Sequence, residues 1–305
     1  MSTPQISFAE GDTLLDWLDL TQALAEGHKK PRAEVGDTFL YRGSDTLLSR
    51  AAWIDGMGMA VKTATVFPGN AAVGKPGING GVCLFSDGDG LLEALIDFHL
   101  VTKWKTAGDS LLAALMLANR EAENILIVGA GTVAASLTEA FRAGFPNAHQ
   151  HIWNRSRDKA EALADAVDEL NVVGDLPDAV RKADIVLTAT MSSEPVIKGD
   201  WLRPGQHINM IGAYRPDMRE ADDLALQRAD IYVDSYDTTL DHIGELKIPL
   251  QSGAITRADV ISDFYDLEAF PAFDPDKITL FKNGGGAHMD LMTSRYILER
   301  WDAAR

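Results

Sequence analysis

The stretch Ile125-Leu126-Ile127-Val128-Gly129-Ala130-Gly131-Thr132-Val133-Ala134 constrains this chain more than any other. The apolar run predicts a strand and Thr132 opens a helical pattern, so both glycines fall in the turn between them. That context distinguishes the G-x-G-x-x-G/A dinucleotide fingerprint from a chance glycine pair. Gly129 permits the tight turn, Gly131 leaves room for a pyrophosphate against the backbone, and Ala134 lets the helix pack closely on the strand. Ala130, Thr132 and Val133 place their backbone at the helix N-terminus, which favours an anion. Strands over His149–Trp153 and Ile185–Thr190, with others at His207–Ile211 and Ile231–Val233, alternate with helical stretches such as the one from Arg157. This predicts an α/β chain with a Rossmann-type, doubly wound parallel sheet.

The end of the second strand of such a sheet chooses between nicotinamide cofactors, because a carboxylate there bonds the ribose 2′-hydroxyl and repels a 2′-phosphate. Here it reads Trp153-Asn154-Arg155-Ser156-Arg157, and no carboxylate appears before Asp158. An amide, a hydroxyl and two guanidiniums suit a phosphate, so NADP(H) is the expected cofactor and NAD(H) the alternative.

Charge narrows the partners. With 28 Lys+Arg against 45 Asp+Glu over 305 residues, the formal net charge is −17, a field that disfavours nucleic acid and acidic membranes. The 46% hydrophobic and 24% charged composition is that of a globular chain and excludes disorder. No apolar run is long enough to cross a bilayer, and the N-terminus lacks a basic and an apolar signal region, so a cytoplasmic location is expected. The single cysteine, Cys83, lies in a strand-like Gly-Val-Cys-Leu-Phe and reads as a buried small apolar residue. His149 and His151 have no acidic or cysteine partners at metal-ligand spacing, so no metal is expected.

Outside the βα alternation, Asp12 to Lys29 reads as an amphipathic helix with Leu14, Trp17 and Leu18 on one side. Strands at Ala60–Phe67 and Gly81–Phe85 follow, each closed by a turn, and Gly90 to Asn119 reads as largely helical. A final helix runs from Asn283-Gly284-Gly285-Gly286 to about Glu299. The expected domains are residues 1–120 with 286–305, and 121–285.

Several motifs in order resemble the ornithine cyclodeaminase/μ-crystallin family, whose members include ketimine reductases and an alanine dehydrogenase. They are Val61-Lys62-Thr-Ala-Thr-Val-Phe-Pro68-Gly69-Asn70, Trp104-Lys105-Thr106-Ala107, Gly129-Ala-Gly131, Thr188-Ala-Thr190, Ile208-Asn-Met-Ile-Gly212-Ala213 and Gly285-Gly286-Ala-His-Met-Asp290. The resemblance implies an α+β substrate and dimerisation domain, built from the N-terminal part and the last helix, beside the nucleotide domain. It implies a homodimer, a catalytic Lys62, and a substrate carboxylate held by Lys105 and an upstream arginine. Arg42, in a hairpin-like Tyr41-Arg42-Gly43, fits that arginine slightly better than Arg50. Asp290 and Thr106 join the substrate site. Asn70, Thr106, Thr190, Met191, Ile211, Gly212 and Ala213 join the cofactor site with the fingerprint and with Asn154 to Arg157.

Bland readings stand beside these. Lys62 could be a snorkelling edge residue, Thr106 a helix N-cap, His288 a solvated or core imidazole, and Asp290 a helix N-terminal charge. Two departures from the family matter. Lys105 stands where arginine is commoner, so a point charge replaces a bidentate fork. Tyr214 stands where ornithine cyclodeaminases carry an aspartate, and a phenol cannot act as a carboxylate base at neutral pH. Asp217, Glu220 and Asp222 nearby read as helix N-terminal charges. The resemblance therefore implies NAD(P)H-dependent reduction of a cyclic ketimine acid, Δ1-pyrroline-2-carboxylate or Δ1-piperideine-2-carboxylate, to L-proline or L-pipecolate. The alternatives are an alanine-type dehydrogenase, an ornithine cyclodeaminase, or a non-catalytic NADP(H)-dependent binding protein.

Overall fold

Burial alternates along Gly58–Val66: Ala60, Lys62 and Ala64 are buried, and Met59, Val61 and Thr63 are half-buried between them. That period of two marks a strand in a sheet with one packed face. The computed structural model describes residues 3–305, with the side chain of Ala71 left out. In chain order the first elements are β1 (Gln5–Ile6), α1 (Phe8–Asp12), α2 (Trp17–His28), β2 (Glu34–Arg42), β3 (Asp45–Ile54), β4 (Gly58–Val66), β5 (Ile78–Phe85), β6 (Leu92–Asp97) and α3 (Phe98–Leu117). There follow β7 (Asn124–Val128), α4 (Thr132–Gly144), β8 (His149–Trp153), α5 (Arg157–Ala166), β9 (Leu170–Val172), α6 (Leu176–Lys182), β10 (Ile185–Thr188), β11 (His207–Met210) and α7 (Asp223–Arg228). The chain ends with β12 (Asp230–Val233), α8 (Tyr236–Thr239), α9 (Gly244–Ser252), β13 (Val260–Asp263), β14 (Thr279–Lys282) and α10 (Ala287–Ala303).

Two units result: residues up to Lys105 together with Gly285–Arg305, and Thr106–Gly284. The first change-over falls inside α3, where the sequence alone placed it at residue 120. The first unit carries a six-stranded sheet ordered β1-β6-β5-β4-β3-β2, antiparallel except for β1 beside β6. Helix α10 packs on β3, β4 and α2, adding Met289, Leu291 and Met292 to a core with Leu20, Leu24, Ile54 and Leu84.

Two local expectations are corrected here. The helix expected from Asp12 starts at Trp17, because the Asp16 carboxylate caps it by accepting from the amides of Leu18 and Asp19. Its packed face is Trp17, Leu20, Thr21 and Leu24, while Leu18 is exposed. The helix expected from Gly90 is preceded by strand β6, whose Ala94 and Ile96 alternate into the core. Asp97 starts α3 by accepting from the amides of His99 and Leu100.

The second unit is a Rossmann-type α/β domain. Its eight strands are all parallel, in the order β13-β12-β14-β11-β10-β7-β8-β9. Strands such as β10 and β11 are buried along their whole length, as expected of a parallel sheet covered on both faces. The connection order reverses between β7 and β10, which makes the carboxyl ends of these strands the ligand-binding edge. No helix among the described residues is long and apolar enough to cross a membrane.

Candidate active site

In the first unit, sheet register rather than sequence proximity assembles a cluster of charged side chains. Arg50 on β3 lies directly across from Lys62 on β4, and Asp37 on β2 lies across from Arg50. Lys62 Nζ donates to Asp290 Oδ1 at 2.9 Å, both groups being buried, and it lies 4.7 Å from the centre of the Phe98 ring. Arg50 spans outward to Asp37 and inward to the Gly285 carbonyl, which accepts from its NH1 at 2.8 Å. Lys105 Nζ donates to that same carbonyl at 3.4 Å. The second oxygen of Asp290, Oδ2, is buried and accepts no hydrogen bond among the described residues.

Three cations therefore crowd one buried carboxylate. Burial pushes the Lys62 ammonium down, Asp290 pulls it back up, and Lys105 and Arg50 lower it again, leaving its pKa at about 8. Burial would raise the Asp290 carboxyl, but Lys62, Lys105 and Arg50 outweigh it and hold Asp290 below the ordinary carboxylate range. His288 is buried, with its pKa well below the usual value through burial and through His28, Lys105, Arg50 and Arg32, so it is a neutral core imidazole. The cluster carries surplus positive charge, which suits a small anion.

The structure brings Lys62, Lys105 and Asp290 together, and it does not bring Arg42 to them. Arg42 pairs with Asp45 at the tip of the β2–β3 hairpin, its side chain 80% exposed. Asp45 and Arg50 are five positions apart on one strand, so their side chains lie on opposite faces. Arg42 follows Asp45, and Arg50 shares the face of Lys62. Thr106 is not a helix cap: it lies well inside α3, its carbonyl accepting from Ser110 Oγ and Asn283 Nδ2. The Asn70 amide is engaged within its own loop, donating to the Pro76 carbonyl at 2.9 Å. Cys83 is half-buried rather than buried, on the sheet face opposite Lys62. Tyr214 is exposed, beside Arg215, which pairs with Asp217 at 3.0 Å.

In the second unit the candidate cofactor residues contribute mainly backbone. Gly129 has φ +118°, and a side chain there would lie 2.6 Å from the Ala189 carbonyl oxygen, so only glycine lets the turns after β7 and β10 close on each other. Gly131 caps α4, and nothing lies within 4 Å of where its Cβ would be. Behind it Ala134 is fully buried, and Thr132 is exposed at the first turn. An open helix N-terminus of this kind fits a pyrophosphate. After β8, Asn154 donates to the Ser156 carbonyl and Arg157 pairs with Glu161 at 2.7 Å, while Arg155 is exposed and has no ion-pair partner among the described residues. After β10 and β11, Thr190, exposed Met191 and Ile211-Gly212-Ala213 line the same strand-end edge. Among the described residues no group of three or more His, Cys, Asp or Glu is placed to hold a metal.

Glu220, read from sequence as a helix N-terminal charge, is instead fully buried in the loop ahead of α7. Its Oε1 accepts from Thr190 N and Thr190 Oγ1, each at 2.7 Å, and its Oε2 from Gly212 N at 2.6 Å and Ala213 N at 3.2 Å. No local sequence signal marks it.

Comparison with known proteins identifies similar chains. The model of the ornithine cyclodeaminase/mu-crystallin family matches residues 51–305. The Delta(1)-pyrroline-2-carboxylate reductase of Paracoccus denitrificans is 48% identical over 305 residues, covering 97% of this chain and 96% of its own. The ketimine reductase mu-crystallin of Mus musculus is 34% identical over 250 residues, covering 81% and 77%. Among solved structures, an archaeal alanine dehydrogenase dimer with bound NAD matches with a TM-score of 0.89 at 25% identity, over 100% of this chain and 97% of that one.

Proposed function

The chain belongs to the ornithine cyclodeaminase/mu-crystallin family, and from that premise we propose that it reduces a small cyclic ketimine acid, Δ1-pyrroline-2-carboxylate or Δ1-piperideine-2-carboxylate, to L-proline or L-pipecolate. The observation that carries this reading is the buried Lys62–Asp290 pair flanked by Arg50 and Lys105. Surplus positive charge beside a paired ammonium suits a carboxylate one bond away from a C=N group. The names of the Paracoccus and mouse relatives support it.

Each residue then has a role. Arg50 and Lys105 hold the substrate carboxylate, Arg50 by the inward NH1 side of a guanidinium that Asp37 anchors, and Lys105 as a point charge. Lys62, with a pKa of about 8, is mostly protonated at neutral pH and donates its proton or a hydrogen bond to the imine nitrogen. Asp290 Oδ2, which accepts no hydrogen bond among the described residues, accepts from the resulting N–H. The chemistry a bound nicotinamide nucleotide would supply is hydride for the imine carbon. Gly129 to Val133 would hold its pyrophosphate, and Thr190, Met191 and Ile211 to Ala213 would flank the nicotinamide half. Arg155, with Asn154, Ser156 and Arg157, favours a 2′-phosphate and thus NADP(H). Exposed Tyr214 supplies no base for cyclodeamination.

The sheet face opposite Lys62 carries exposed Leu40, Leu47 and Trp53 beside half-buried Met59, Val61 and Cys83. Together with the dimeric archaeal relative, it supports a homodimer in which a second copy covers this face. The enzymatic reading is tested by following NADPH absorbance at 340 nm with each imine. Oxidation well above the rate without imine is expected, and equal rates overturn the proposal.

A further inference from the structure

The carboxylate of Glu220 lies beneath two loops that are distant in sequence. Thr190 follows β10, and Gly212 and Ala213 follow β11; all four hydrogen bonds that cross to Glu220 come from these residues. The loops meet so closely that a Cβ on Gly212 would collide with the Thr190 backbone and lie 2.6 Å from Glu220 Oε1. Glu220 is itself pinned. Its amide donates to Glu245 Oε2 at 2.6 Å, the next amide, Ala221, donates to Oε1 at 3.0 Å, and the Glu220 carbonyl accepts from Val196 and Ile197. The ammonium of Lys282, buried in the same unit, donates to the Met210 carbonyl at 3.0 Å, at the end of β11, and faces both glutamates.

We propose that Glu220 is a positioning residue that sets the spacing of the Thr190 and Gly212–Ala213 loops, and through them the nicotinamide half of the bound nucleotide. The inference rests on the nucleotide site proposed above. In a doubly wound sheet the pyrophosphate takes the turn after the first strand and the adenosine ribose takes the end of the second, here β7 and β8. The nicotinamide half is left with the ends of β10 and β11, the two loops that Glu220 joins. Only an ionised carboxylate serves both loops, because every partner is a donor. With a glutamine, either Thr190 or the Gly212–Ala213 pair faces an NH2 group and loses its acceptor.

The test compares two ligands by direct binding, by calorimetry or fluorescence: NADPH and 2′-phospho-ADP-ribose, which lacks the nicotinamide. Glu220→Gln is expected to weaken NADPH by about tenfold or more, the scale of one charge-assisted hydrogen bond, and to leave the fragment within about twofold. Glu220→Asp keeps the charge but is one methylene too short to span both loops, so it shifts the same ratio in the same direction. It serves as the second variant if the glutamine protein does not fold. An unchanged ratio in both variants, or equal loss of both ligands, overturns the proposal: the first means that the loops do not depend on Glu220, the second that Glu220 merely holds the unit together. Wild-type protein that binds neither ligand removes the nucleotide site and this inference with it. Wild-type protein that binds both with an unchanged variant ratio removes the inference alone.

Discussion

In the antiparallel unit one carboxylate, Asp290, faces Lys62, Lys105 and Arg50; in the parallel unit one buried ammonium, Lys282, faces Glu220, Glu245, Asp234 and Asp109. The two clusters are near mirror images in sign, yet they are satisfied differently. Around Asp290 the cations are met mainly by side chains: Lys62 by Asp290, Arg50 by Asp37 and the Gly285 carbonyl, and Lys105 by that same carbonyl, while Asp290 Oδ2 accepts no hydrogen bond among the described residues. Around Lys282 the surplus carboxylates of Glu220 and Glu245 take backbone amides at both oxygens. Charge balanced by other side chains can be shared with an incoming ligand, whereas charge held by backbone amides fixes backbone. The first cluster is therefore suited to chemistry and the second to shape.

Removing the Lys62 ammonium gives the largest break in this contrast. Lys62→Ala should lower kcat by roughly 10²–10⁴-fold, the usual cost of losing a general acid, with NADPH affinity within about twofold of the original. A kcat within threefold would return Lys62 to a packing role. Because Lys62 loses its proton as pH rises through about 8, kcat/KM of the wild-type protein should fall above that pH. A profile flat to pH 10 would assign the proton to another donor.

Smaller effects separate the two arginines of the hairpin. Arg50→Ala should raise KM for the imine by about ten- to a hundredfold, the loss of a charge-assisted contact, while Arg42→Ala, on the other face, should change KM less than about twofold. The reverse order would mean that the hairpin rearranges around substrate. In the parallel unit, Arg155→Ala should cost about ten- to a hundredfold in kcat/KM with NADPH and little with NADH. An unchanged NADPH/NADH ratio would take Arg155 out of the 2′-phosphate site.

These arginines also indicate what sequence could and could not reveal. The turn between β7 and α4 is legible in the sequence because it is contiguous: strand, two glycines and helix start fall within ten residues, and their conformations are set by backbone. The Lys62 cluster is drawn from β3, β4, α3 and the start of α10, and of the two arginines the sequence offers for it, the slightly favoured Arg42 lies at the hairpin tip while Arg50 lies across from Lys62. A signal existed. The three-residue turn Asp55-Gly56-Met57 puts Ile54 across from Gly58, and that register pairs position 50 with position 62. Glu220 had no such signal, because its four donors come from loops ordered only by the packed sheet.

The smallest effect is on stability. Burial holds Lys62 below its ordinary 10.5, at about 8, so between these values the unfolded chain binds more protons than the folded one. The cost of the buried cation is thus full below pH 8 and is relieved as pH rises toward 10.5. Relative to Lys62→Met, the wild-type Tm should gain a few degrees between pH 8 and 10. A parallel course for the two proteins would mean that Asp290 fully offsets the burial of Lys62.

The proposed reaction requires hydride to reach the carbon that bears the substrate carboxylate. Incubating the protein with Δ1-pyrroline-2-carboxylate and NADPH deuterated at the transferring C4 position tests that directly. L-Proline carrying one deuterium at C2, formed in step with NADPH oxidation, is expected; NADPH oxidation without proline, or proline without the label, would overturn the proposed reaction.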